Sequence, residues 1–335
     1  MSASDAFQPD PGWLAKGEEA PLRPEIEIID SHLHLGEHWS PPYSWADFAA
    51  EAQGQCVSGA VFVECGWAWD SSLGARAALP EVERAAEVAA RTVTHSPGPR
   101  LLGVVGYLDL RSESVTADLD AFASAADGRL VGIRNRVAWD PDPAVPPPSL
   151  AAPPGMLTDP RWLRGLGALA ASGLALDVYA YHPQLNEVAR AAQAHSEARI
   201  IVDHLGGPLG VGHYADSHAV DGQWRISLRS LAACGNVWLK IGGIGMPIMG
   251  RDWRAGERPP TSEELSRHWA PRIQWAIEEF GAERCMFEGN FPVDRHSLPY
   301  SVVWNAYKRI CSGASDSELA WLFGRAAADA YGLDR

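Results

Sequence analysis

The chain has 335 residues, 46% of them hydrophobic and 21% charged, with a formal net charge of −14. That length and composition support one large soluble core, and the acidic excess excludes nucleic acid and anionic membrane as partners, since both require a basic surface. The five cysteines lack CxxC spacing, no basic-then-apolar leader opens the sequence, and no apolar run approaches the ~20 residues of a membrane span, so the expectation is a cytoplasmic protein with reduced thiols acting on a small molecule.

Residues 1–24 are rich in Pro, Asp, Glu and Gly and read as a polar lead-in outside the core, with Trp13 as its tether. A single catalytic domain then spans 25–335. Its first strand is Ile26–His34, IEIIDSHLH, an apolar run ending in two histidines. Alternate side chains of a strand share a face, so His32 and His34 point the same way, with Asp30 below them. Ser44 or Asp47 can cap a helix running to Gln53. A strand at 59–65, a helix at 79–93, a strand at 101–110, a helix at 113–126 and a strand at 130–137 follow. The Pro-rich stretch 138–155 breaks both helix and strand; because the alternation resumes beyond it, it reads as a long active-site loop rather than a linker. Helices at 159–172, 183–195, 223–234 and 262–280 then alternate with strands at 174–181, 199–204, 236–241 and 284–291. Helices at 301–311 and 316–331 close the chain.

Eight apolar runs separated by helical patterns describe an α/β protein, a (β/α)8 TIM barrel with extended loops at the C-terminal face and an extra C-terminal helix. In such a barrel catalytic groups gather at the C-terminal strand ends. The polar residues expected there form a set: His32 and His34, Glu64, Arg134 and Arg136, Tyr181 and His182, Asp203 and His204, Lys240, Glu288 and Asn290, with Asp294 just beyond. Each alone has a structural use. Lys240 could reach outward, Arg134 could pair with Glu288, and Asp203 could cap a turn. Their coincidence at most strand ends points to one site. Trp39, Trp67, Trp69, Trp139 and Trp253 fall in loops, so the mouth is expected to be aromatic.

HLH at 32–34, VDHLGGP at 202–208, LKIGG at 239–243 and RCMFEGNFPVD at 284–294 resemble motifs of the amidohydrolase superfamily. GIRNRVAWDPDP at 132–143 and YHPQL at 181–185 narrow the resemblance to a branch similar to pyrone-dicarboxylate lactonase and sugar-lactone hydrolases, over residues 25–333. The resemblance implies that activated water opens the ester of a small, carboxylated lactone. It makes His32, His34 and His204 the groups that polarise the carbonyl or bind a divalent metal, with zinc the expected ion, although some lactonases of the branch work without metal. Arg134 and Arg136 become carboxylate binders, with Tyr181, His182, Lys240 and Trp67 beside them at the substrate. A homo-oligomer is also in keeping with the superfamily.

One position departs from the pattern. The superfamily places an aspartate on the eighth strand as general base, and the matching residue is Asn290. An amide does not accept a proton at working pH, so Glu288 or Asp294 is expected to serve, with Asp294 preferred because Pro292 restrains the turn that brings it back over the mouth. A metal-dependent decarboxylase and a barrel that binds a ligand without turnover are the alternatives.

Overall fold

Strands β1 (Ile28–Leu33), β2 (Val57–Val63), β3 (Arg100–Tyr107), β4 (Leu130–Arg136), β5 (Ala175–Tyr179), β6 (Ile200–Val202), β7 (Val237–Ile241) and β8 (Cys285–Phe287) lie side by side in chain order, every neighbour parallel. The computed structural model describes residues 9–94, 98–148, 150 and 152–333. Helices α1 (Pro11–Leu14), α2 (Trp45–Glu51), α3 (Leu79–Thr94), α4 (Val115–Ala125), α5 (Pro160–Ala171), α6 (Leu185–Ala194), α7 (Ser217–Ala232), α8 (Ser262–Phe280) and α9 (Tyr300–Ile310) alternate with or flank the strands, and α10 (Asp316–Ala320) and α11 (Ala326–Tyr331) end the chain. This is the (β/α)8 barrel expected from the sequence. No helix among the described residues is long and apolar enough to cross a membrane.

The β1–β8 edge differs from the other seven. Among the described residues it carries a single bridge, Leu33 to Phe291, in place of a ladder. Backbone bonds from His34 N–H to Phe291 O (2.8 Å) and from Asn290 N–H to His32 O (3.0 Å) reinforce it. Side chains complete the closure. The Asp30 carboxylate accepts from Gly289 N–H at 2.7 Å and from the Tyr300 hydroxyl at 3.0 Å, and Ser31 Oγ donates to Phe287 O at 3.0 Å. A Cβ at Gly289 would sit 2.4 Å from Asp30 Oδ2, so this position must be glycine for the carboxylate to reach the backbone.

Several strands stop short of the sequence expectation: β5 ends at Tyr179, β6 at Val202 and β8 at Phe287. Beyond those points the backbone turns out of the sheet, with His204, Leu205 and Asn290 all at left-handed φ. Helix α7 begins at Ser217, six residues before the position expected, because the Asp216 carboxylate accepts from His218 N–H at 3.0 Å and caps it. The single helix expected over 316–331 is divided by a π-helical turn at Trp321–Arg325. The lead-in is also more engaged than its composition suggests. Trp13 and Leu14 are buried, and Trp13 Nε1 donates to Gly256 O at 2.9 Å, because one large indole outweighs a polar surrounding.

Candidate active site

Three imidazoles converge where β1 and β6 end. The His32 ring centroid is 4.7 Å from those of both His34 and His204. His34 Nδ1 lies 2.8 Å from Val63 O; a carbonyl only accepts, so Nδ1 carries the proton and Nε2 presents a lone pair. Glu288 lies against the other two rings and hydrogen-bonds one of them, His204. Its Oε1 is 2.7 Å from His204 Nδ1 and accepts from His204 N–H at 3.1 Å, while its Oε2 is 3.0 Å from His32 Nδ1. The carboxylate thus holds the Nδ1 edge of His204, while His32 Nδ1 lies between it and Lys240, and His32 Nε2 comes 3.2 Å from His34 Nε2. Burial, with the Lys240 charge beside it, holds His32 well below the ordinary imidazole range; burial and Arg134 do the same for His34. At His204 burial works against the charge, but Glu288 outweighs it and raises the proton affinity. The LKIGG motif makes room for this carboxylate: a Cβ at Gly242 would lie 2.1 Å from Glu288 Cγ.

Charged residues form a second layer. Glu64 Oε1 accepts from Arg134 Nε at 2.7 Å and Arg136 Nε at 2.8 Å, and its Oε2 pairs with Arg136 Nη2. Burial alone would raise the Glu64 carboxyl, but the two guanidinium groups hold it below its usual range. Arg134 Nη1 extends to His32 Nε2 (3.2 Å) and stands 3.6 Å from Asp203 Oδ2. Lys240, fully buried, places Nζ 2.7 Å from Asp177 Oδ2, 3.3 Å from Asp203 Oδ1 and 3.1 Å from His32 Nδ1. The structural uses open in the sequence are therefore not the ones taken: Lys240 does not reach outward, Arg134 pairs with Glu64 rather than Glu288, and the Asp203 side chain caps no turn.

Asp294 does fold back into the protein. Its Oδ1 accepts from Asn290 Nδ2 at 2.9 Å and its Oδ2 from Gly245 N–H at 3.0 Å, and burial pushes its carboxyl up to about 7. Asn290 Oδ1 is buried without a hydrogen-bond partner.

The remaining candidates are spread more widely. Tyr181 donates its hydroxyl to Pro146 O at 2.9 Å in the Pro-rich loop. His182 Nδ1 accepts from Leu209 N–H at 3.2 Å, and its ring packs 5.0 Å from that of Tyr214. Trp67 donates to Glu37 under Arg84, in the wall of a cavity of about 540 Å³ between the β1 loop, α2 and α3. None of these three touches the histidines. Two aromatic residues not chosen as site residues do approach them: the Tyr179 ring lies 5.1 Å from His204, and the Trp39 ring 6.1 Å from His34 with its indole N–H buried and unpartnered. Alternation along β5 carried the signal for Tyr179, since Asp177, Tyr179 and Tyr181 share a face.

The donor atoms fit a divalent ion. Ligand atoms of His32, Asp203 and His204 lie within 4.8 Å of one another, and both Asp203 oxygens are buried without hydrogen bonds. Asp203, from the strand end that also carries His204, joins the expected histidines here, and His34, expected as a third ligand, keeps its Nε2 3.2 Å from that of His32.

Comparison with known proteins agrees with this architecture. The chain is 30% identical over 331 residues to the uncharacterized protein y4mH of Sinorhizobium fredii, covering 92% of this chain and 99% of the relative. It is 26% identical over 320 residues to L-fucono-1,5-lactonase of Burkholderia multivorans, covering 91% and 96%. Among solved structures, an amidohydrolase from Burkholderia multivorans with bound zinc superimposes with a TM-score of 0.73 at 23% identity, over 92% of this chain and all of that one (100%). The sequence profile of the amidohydrolase family matches residues 29–333, and the chain belongs to that family.

Proposed function

We propose that the protein is a lactonase, hydrolysing the ester bond of a small cyclic ester. The observation that carries the reading is the buried cluster of His32, His34 and His204, in which the Glu288 carboxylate holds His204 by its Nδ1 and backbone N–H and lies 3.0 Å from His32 Nδ1. The relation to a lactonase over nearly the whole chain supports it. In the reaction, His204, its proton affinity raised by Glu288, donates a hydrogen bond to the carbonyl oxygen as negative charge develops there. Asp294, with a carboxyl near neutrality, takes a proton from the attacking water. Water oxygen bonds to the carbonyl carbon, the ring C–O bond breaks, and the leaving alkoxide takes up a proton, giving a hydroxy acid. A divalent ion, which His32, Asp203 and His204 would hold, would polarise that carbonyl as a Lewis acid in place of the His204 hydrogen bond.

The idea that Arg134 and Arg136 hold a substrate carboxylate gains no support from the geometry, since both are committed to Glu64. Neutral sugar lactones therefore belong in the substrate panel beside carboxylated ones. Ring opening followed by acid release over that panel tests the reading. Folded enzyme that opens none of them, or that releases carbon dioxide from an aromatic acid instead, would overturn it.

A further inference from the structure

The last helix of the chain touches the charged layer from the opposite end of the barrel. Tyr331 of α11 packs with Val63, Val105, Ile201 and Met286 in the apolar layer beneath the site. Its hydroxyl lies 2.7 Å from Asp177 Oδ2 and 2.9 Å from Oδ1. The same Oδ2 accepts from Lys240 Nζ at 2.7 Å, and Nζ is 3.1 Å from His32 Nδ1 and 3.3 Å from Asp203 Oδ1. Tyr331 is 3% exposed and the other four residues are fully buried. We propose that Tyr331 is a positioning residue: through Asp177 it sets where the Lys240 ammonium sits relative to His32 and Asp203, which makes the C-terminal helix part of the catalytic apparatus. The kinetic part of the proposal rests on the lactonase reading.

The physical argument concerns a cation held between two acids. Lys240 is a compact charge on a flexible stem, so its position follows the balance of pull between Asp177 and Asp203. The Tyr331 hydroxyl satisfies part of the Asp177 charge and weakens that pull. Remove it, and Asp177 is a buried carboxylate that depends more heavily on Lys240; Nζ then shifts toward it and away from His32. The charged groups facing Asp177 are Arg134 of β4, Asp203 just after β6 and Lys240 of β7, with Glu288 on the far side of Lys240, and none replaces the lost donor without leaving its own partner. A packing role alone would not call for the hydroxyl. Burying one in an alanine-rich, apolar layer is unfavourable unless it is bonded, and a phenylalanine would fill the same volume.

The experiment compares Tyr331→Phe with Leu322→Ala, a buried packing residue in the same C-terminal segment. Turnover of the best lactone and thermal midpoints are measured for both. Tyr331→Phe is expected to lower kcat about 10-fold with KM changed less than about threefold, while Leu322→Ala lowers the midpoint more and leaves kcat near wild type. A Tyr331→Phe enzyme with kcat within twofold of wild type overturns the proposal, as does a kcat loss that merely follows the midpoint in both variants. Should Tyr331→Phe not fold, Asp177→Asn is read against the same criteria. If wild type opens no lactone, the functional reading has failed; crystal structures of wild type and Tyr331→Phe then decide the positioning question, and an unmoved Lys240 Nζ refutes it.

Discussion

Replacing Glu288 by glutamine changes one oxygen to an amide nitrogen and little else. The Oε1 side can still accept from His204, at Nδ1 (2.7 Å) and at the backbone (3.1 Å). The other arm replaces a charged oxygen 3.0 Å from His32 Nδ1, an atom that Lys240 Nζ also approaches at 3.1 Å, with a neutral amide. His204 meanwhile loses the charge that raised its proton affinity. Loss of the charge behind one hydrogen bond, at roughly 1.5–3 kcal/mol, gives a fall of about 10–10² in kcat/KM. Folding suffers less, because an amide is cheaper to bury than a carboxylate. Steady-state kinetics on the best lactone, with a thermal melt of the same preparation, measures both. A folded Glu288→Gln enzyme within fivefold of wild-type kcat/KM would refute the assignment of Glu288 as the group that orients and charges His204.

Asp294→Asn is expected to cost about 100-fold in kcat if this carboxyl is the base, and wild-type kcat/KM should rise with pH through the region near 7 where burial places its titration; a pH profile of both proteins checks this. Glu81 is buried at the start of α3, where Oε1 accepts from the N–H groups of Cys65, Gly66 and Trp67, and burial raises its carboxyl to about 7. An acid raised on folding binds a proton that the unfolded chain releases, so its contribution to stability falls as pH rises from its ordinary value near 4.5 toward 7. Glu81→Gln should therefore gain stability relative to wild type at pH 8 more than at pH 5, as read from denaturant melts at the two values. Protein purified without chelator should hold close to one equivalent of a divalent metal, and Asp203→Asn should lose it; elemental analysis of both gives the answer without reference to activity.

The barrel was legible because its signals are local. Apolar runs, caps and helical spacing mark each element, and alternation puts His32 and His34 on one face before any contact is known. Partner choice was not legible. Glu64 directly follows β2 and its arginines stand on β4, so the shared ion pair depends on how far side chains reach across the barrel interior rather than on any spacing in the chain. Asp177 sits inside an apolar strand and Tyr331 in the final helix, separated by 154 positions, and neither draws attention until the fold brings them together. In the sequence Arg134 is the natural partner for Glu288; only the three-dimensional arrangement places this carboxylate beside two imidazoles. The early start of α7 was within reach, since Asp216 followed by a run without proline is a capping signal.

The way the barrel closes has a consequence for how it comes apart. Seven of its strand pairs are parallel ladders, while the β1–β8 edge depends on one bridge and on Asp30 and Ser31. Fluctuations that part the cylinder cost least along that line, and the line runs between His32 on one side and Glu288 on the other. A partial opening would separate the carboxylate from its histidine while the remaining sheet stays paired. Backbone amides of β1 and of the segment after β8 should then exchange with solvent sooner than those of β3 and β4, and warming would disable the site at temperatures where the helices still hold.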